Sequence, residues 1–153
     1  GEMIPKDLLD KMEKSGKFNQ GFITTEYLAA CYLDMAFYTR TQALTEKPGD
    51  FEEKYLREIG LIPEIISRYK STYFNHIFNS GYSAGYYSYI WAQVLDADAF
   101  QAFVENGIFD KKTASLYRKN ILEKGANGDP MENYVKFRGK EPTVDALMKR
   151  KGM

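Results

Sequence analysis

The side chains of this chain best suited to chemistry are gathered in one stretch, His76-Ile-Phe-Asn-Ser-Gly-Tyr82-Ser-Ala-Gly-Tyr-Tyr-Ser-Tyr89. A phenol donates a hydrogen bond to a developing oxyanion while staying protonated at neutral pH, because its ordinary pKa is about 10. An imidazole donates to a substrate carbonyl or accepts from a peptide N–H. Gly81 and Gly85 give the backbone an irregular turn and let another chain approach closely. Together these residues have the makings of a substrate-clasping loop without an electrophile. They also have a plainer explanation, in which an aromatic stripe at helical spacing is core and a lone histidine before a loop is structural. The residue types alone leave both open.

Other chemistry is thinly represented. His76 is the one histidine and Cys31 the one cysteine, so the chain can assemble no His-Glu-x-x-His site, no Cys-based zinc site and no internal disulfide. It has no Gly-x-Ser-x-Gly elbow and no Gly-rich phosphate loop ending in Lys-Ser/Thr. A Cys31–His76 pair has the types a nucleophilic couple needs, but Cys31 sits on the apolar face of a predicted helix, where a buried, inert thiol is expected. Lys plus Arg balance Asp plus Glu at 21 each, so no overall field draws the chain to nucleic acid or an anionic membrane. No apolar run reaches the roughly 18 residues that suggest a membrane span. The sequence starts Gly-Glu-Met-Ile-Pro, without the basic and apolar regions of a signal peptide. A single cysteine fits a reducing, cytoplasmic compartment, and a cysteine-poor periplasmic protein would read the same.

The elements that must position these residues read as helices throughout. Pro5 opens a helix whose Leu8, Leu9 and Met12 share a face, ending at Gly16. A longer helix runs from about Thr25 to Ala43, with Leu28, Cys31, Tyr32, Met35 and Tyr38 as its core-facing stripe. Pro48-Gly49 reads as a turn, and Asp50 with Glu53 as a capping box for a helix through Ile59, stopped by Gly60. Pro63 opens the next segment. After Gly85 an apolar helix runs toward Glu105, with Tyr82, Tyr86, Tyr89 and Gln93 on one side and Tyr87, Trp91, Val94 and Leu95 filling much of the rest. A helix apolar nearly all round must be surrounded by protein, and here some of that covering is expected to be missing. Further helices are predicted from Asp110 to Gly125, from Asp129-Pro130 to Gly139, and after Pro142-Thr143. No segment alternates with period two, so residues 1–153 read as a single all-α unit. A chain of this length buries about 68–70% of its unfolded surface. Its 12 Tyr and 10 Phe suggest either a wet, hydrogen-bonding cavity or a tightly packed helical core.

The run Tyr73-Phe-Asn-His76-Ile-Phe followed by Gly81-Tyr82-Ser-Ala-Gly-Tyr-Tyr-Ser-Tyr89-Ile-Trp91 resembles the C-terminal signature of the thimet oligopeptidase family of zinc metallopeptidases. The branch it most resembles holds the bacterial peptidyl-dipeptidases and oligopeptidase A. The likeness continues through Leu95-Asp-Ala-Asp-Ala-Phe100, Gly107-Ile-Phe, Ile121-Leu, Asp129-Pro-Met and Phe137-Arg-Gly-Lys-Glu-Pro142, and upstream at Ile4-Pro5 and Phe18-Asn-Gln-Gly-Phe22, so that it covers essentially the whole chain.

That resemblance implies the C-terminal portion of a larger, two-lobed helical peptidase whose zinc lies N-terminal to the residues present here. It maps the family's site onto Tyr89, which would help stabilise the tetrahedral oxyanion, and onto His76 and Tyr82, which would hold substrate backbone. Zinc would then belong to the parent and not to this chain. The missing Glu would act as general base, and the partners would be short peptides and the missing lobe, with neither nucleic acid nor membrane. The isolated chain is expected to be inactive and to self-associate through the surface near Tyr82–Trp91. One departure is visible: Asn79 and Ser80 stand where the family has more glycine, which should stiffen the loop. The competing hypothesis is a stand-alone helical module that binds peptides or another protein without catalysis. A His-Glu-x-x-His upstream in the same reading frame would separate the two.

Overall fold

The computed structural model describes residues 3–153, and among them every regular element is helical. The architecture is all-α, consistent with a piece of a helical peptidase. The elements are α1 (Lys6–Lys17), α2 (Gln20–Tyr38), α3 (Pro48–Glu58), α4 (Asn75–Asn79), α5 (Ser88–Asn106), α6 (Lys111–Tyr117), α7 (Pro130–Arg138) and α8 (Asp145–Lys151), and α6 runs on into a π-helical turn at Arg118–Leu122. None of these helices is long and apolar enough to cross a membrane.

Local capping chemistry accounts for several boundaries. The Asp110 carboxylate accepts from the Thr113 N–H at 2.6 Å and that of Asp129 from the Glu132 N–H at 2.8 Å, each satisfying an orphan donor of a first turn. Gly139 closes α7 with φ +80, as a left-handed C-cap requires. Two boundaries differ from expectation. Pro48-Gly49 is no turn: Pro48 is the first residue of α3, Lys47 precedes it without a side-chain cap, and Asp50 lies inside the first turn. Proline lacks only an N–H that would be orphaned there, and its fixed φ already suits a helix. The long helix starts at Gln20, not Thr25, because Asn19 reverses the chain in a left-handed conformation, and it ends at Tyr38 rather than Ala43.

The chain divides into two units, one ending at Tyr89 and the other comprising Ile90–Met153. In the first, α2 is the spine. On one side Ala30 and Cys31 pack with Phe74, Ile77 and Tyr86; on the other Leu33 and Ala36 pack with Phe51. The buried face of α2 is thus built largely from small residues, whereas Tyr32, Met35 and Tyr38 of the expected stripe are exposed. Small side chains let neighbouring segments approach α2 closely, and tyrosines beside those contacts bond the backbone of those segments through their hydroxyls. Tyr38 is an example, its hydroxyl donating to the Ile77 carbonyl.

In the second unit Val94, Ala97 and Leu147 form one cluster, and the rings of Phe103, Tyr117 and Phe137 meet at 5.2–6.5 Å. A buried polar network joins α5 to α7. Tyr134 donates to Asp98 at 2.7 Å, and Arg138 contacts Asp98 at 3.3 Å while binding both oxygens of Glu105 at 2.8 and 2.9 Å. Exposed apolar side chains remain on α5, among them Trp91, Phe100 and Val104.

Candidate functional site

The segment from Tyr69 to Tyr89 folds back on itself against α2. Phe74, only 1% exposed, is its anchor, with its ring 4.9 Å from Tyr69 and 5.0 Å from Tyr86. Burial of an aromatic side chain is the largest single contribution a residue can make here, and it fixes the start of α4 one helical step from His76. The one-turn α4 ends in a knot of hydrogen bonds. The Ser80 hydroxyl and the Tyr82 N–H both donate to the His76 carbonyl, at 2.9 and 3.1 Å, and the Ser83 hydroxyl donates to Ile77 at 2.6 Å. Gly81 sits at φ +82, where a side chain would be strained. The Ser80 bond is one that glycine at that position could not make.

His76, Tyr82 and Tyr89, the three residues singled out from sequence, are brought together. The Tyr82 and Tyr89 rings stack at 5.1 Å with 20° between planes, and His76 lies edge-on to them at 6.0 and 6.3 Å. His76 is also 5.1 Å from Tyr69 and 5.6 Å from Tyr86, so its ring is held by aromatic neighbours rather than by a carboxylate. Tyr89 is 38% exposed. A hydrogen bond with Tyr82 first, then burial, pushes its pKa above the ordinary phenol value. A phenol so placed is a neutral donor through the physiological range. Tyr82 and Tyr86 do not share a helix face with Tyr89 as the sequence spacing suggests. Both precede α5, in the turn that leads into it.

The residue that sequence reasoning missed is Asp34. It lies on the buried face of α2 at 0% exposure, and its two carboxylate oxygens accept from the backbone N–H groups of Ala84 and Tyr86, each at 2.9 Å. Ala84 takes φ +54, a left-handed conformation that costs an alanine roughly 1–2 kcal/mol. Gly85 follows, where a Cβ would just touch the Tyr82 carbonyl oxygen at 3.4 Å. Tyr27, about two turns before Asp34 on α2, donates its hydroxyl to the Tyr86 carbonyl at 2.9 Å. A signal for Asp34 was present: a lone carboxylate in the apolar run Ala29-Ala-Cys-Tyr-Leu-Asp34-Met-Ala-Phe37 is costly unless paired.

The model of Peptidase family M3 matches residues 1–153. The chain belongs to that family. Dipeptidyl carboxypeptidase of Salmonella typhimurium is 38% identical to it over 155 positions, spanning 100% of this chain and 23% of that protein. Oligopeptidase A of Escherichia coli is 36% identical over 160 positions, again 100% of this chain and 23% of the relative. Saccharolysin of Saccharomyces cerevisiae is 30% identical over 156 positions and 22% of its own length. The chain thus spans less than a quarter of the length of these curated relatives.

As an M3 chain it raises the question of zinc, and its own residues do not fit that metal. Among the described residues no three His, Cys, Asp or Glu side chains come together in a way that could hold an ion. His76 is surrounded by rings and Asp34 is occupied by two amides. Nor do Cys31 and His76 make a nucleophilic couple. Cys31 is buried in the core cluster of this M3 chain, and burial pushes its thiol up to about 11, so the thiolate is scarce at neutral pH. Within the first unit, a cavity of about 380 Å3 beside α3 is lined by none of His76, Tyr82 and Tyr89.

Proposed function

We propose that this chain is the C-terminal, substrate-facing part of a zinc-dependent peptidase that hydrolyses short peptides, releasing C-terminal dipeptides. Tyr89 is the oxyanion donor, His76 and Tyr82 hold substrate backbone, and the metal and general base come from another part of the parent polypeptide. The observation that carries this reading is the Tyr82–Tyr89 stack at 5.1 Å with His76 beside it, in a chain of peptidase family M3.

The chemistry follows from the side chains present. Peptide hydrolysis places negative charge on the former carbonyl oxygen, and a donor aimed at that position acts mainly on the transition state. The Tyr89 phenol is such a donor: neutral, partly desolvated, and fixed on one side by Tyr82. Tyr82 keeps that hydroxyl in register and offers its own to the substrate. The His76 imidazole lies edge-on beside them, and its nitrogens can donate to a peptide carbonyl or accept from a peptide N–H. None of these groups supplies an electrophile or a strong base, so the chain by itself is expected to hydrolyse nothing.

The test is kinetic. In the complete reading frame that carries this chain, Tyr89→Phe is expected to lower kcat by about 10²–10³-fold, as loss of one oxyanion donor does elsewhere. Tyr82→Phe and His76→Ala are expected to raise KM as well, since they remove contacts to bound substrate. An unchanged kcat in Tyr89→Phe would overturn the proposal. So would peptidase activity in the purified 153-residue chain.

A further inference from the structure

We infer that Asp34 is the positioning residue of the Tyr82–Tyr89 pair, clamping from α2 the turn that connects the two tyrosines. This rests on the proposed role of those tyrosines, and it adds a residue about 50 positions upstream of them to the working site.

The geometry is specific. Tyr82 and Tyr89 are seven residues apart, and five of the six between them, Ser83 to Tyr87, form turn rather than helix. A turn of this kind has many alternatives, yet the two rings meet with only 20° between their planes. What selects one conformation is a carboxylate with both oxygens committed to alternate N–H groups of the turn, Ala84 and Tyr86, at 2.9 Å each, while the Gly85 N–H between them donates to the Tyr82 carbonyl. One of these residues, Ala84, is in a left-handed conformation an alanine avoids, and such conformations persist only where neighbouring structure enforces them. Hydrogen bonds to a buried charged acceptor are the strong kind, and Asp34 is fully shielded from water that would compete for it. The Tyr27 hydroxyl on the Tyr86 carbonyl and the close Gly85–Tyr82 approach complete the clamp.

An ordinary core role for Asp34 would explain burial, but it would not explain both oxygens meeting the one turn that joins the tyrosines. The neighbouring Leu33, equally buried, packs with Ala36 and Phe51 in a different cluster from the one that holds Tyr86. Leu33 therefore serves as the control for general damage to α2.

The experiment has two parts. In the unmutated chain, the Ala84 and Tyr86 amide protons are expected to resonate downfield and to exchange at least tenfold more slowly than those of the exposed residues Ser83 and Tyr87; exchange as fast as theirs would overturn the inference. In Asp34→Asn, whose amide offers only one acceptor oxygen, the Tyr89 phenol followed by 13C-tyrosine NMR is expected to titrate closer to the ordinary value of about 10. In Leu33→Ala it is expected to titrate as in the parent. In the complete reading frame, Asp34→Asn is expected to cost about 10–100-fold in kcat, the scale of a 1 Å misplacement, and Leu33→Ala little. If Tyr89→Phe lowers kcat by about 10²–10³-fold while Asp34→Asn changes neither the titration nor kcat, Asp34 is not the positioning residue and the proposed function stands. If Asp34→Asn moves the titration while Tyr89→Phe leaves kcat intact, the clamp is real and the proposed function fails.

Discussion

Replacing Phe74 by alanine is the perturbation that most directly questions how the site is held. Phe74 is 1% exposed, and its ring packs on Tyr69 at 4.9 Å and on Tyr86 at 5.0 Å, with His76 at 6.3 Å. Removing a buried phenylalanine ring costs about 3–5 kcal/mol, the lost transfer energy plus the cavity left behind. Collapse of that cavity is limited here, because the surrounding rings are stiff and Tyr86 is tethered through its N–H to Asp34 and through its carbonyl to Tyr27. The upper half of the range is therefore expected. With a denaturant slope of about 2 kcal/mol per molar, urea midpoints should fall by roughly 2 M, read by circular dichroism at constant slope. Phe74→Leu keeps much of the volume and is expected to cost about 1–2 kcal/mol, which leaves a folded variant to study. A cost below about 1 kcal/mol for Phe74→Ala would refute the idea that this ring anchors the His76–Tyr89 segment.

Three further outcomes are expected. Arg138→Met should destabilise the second unit by about 3–5 kcal/mol because it strands the buried Asp98 charge, and Arg138→Met with Asp98→Leu should recover much of that loss; equal stability of single and double variants in urea would contradict the network. Stability should decline as pH rises from about 10 to about 12, since burial raises the Tyr86 phenol to about 12, so the unfolded chain releases its proton first; denaturation midpoints flat across that window would contradict it. Cys31, with its thiol pushed up to about 11, should resist a thiol reagent at pH 8 in the folded chain and react promptly in denaturant; similar rates in both would show the thiol is not buried.

What the sequence made legible was mostly local. Asp110, Asp129 and Gly139 cap helices through bonds to residues three or four positions away, so the pattern carries the answer. The closeness of His76 and Tyr82 is local too, because one short turn joins them. Tertiary context decided the rest. The core face of α2 is set by where Phe51 and Phe74 lie, and those neighbours select Ala30, Leu33 and Ala36 over the larger Tyr32 and Met35. Tyr82, Tyr86 and Tyr89 have helical spacing, yet Asp34 and the left-handed Ala84 hold the first two in a turn. No window of sequence shows that an aspartate at position 34 meets amides at 84 and 86.

The most direct test of the central claim uses a peptide analogue with a tetrahedral phosphinate at the scissile position, bound to the complete protein and to its Tyr89→Phe variant. The expected result is that the variant weakens analogue binding by the same 10²–10³-fold factor by which it lowers kcat/KM, with affinity for an uncleaved substrate-like peptide nearly unchanged. Equal weakening for both ligands would contradict it, and would make Tyr89 a general contact for peptides rather than a donor to the oxyanion.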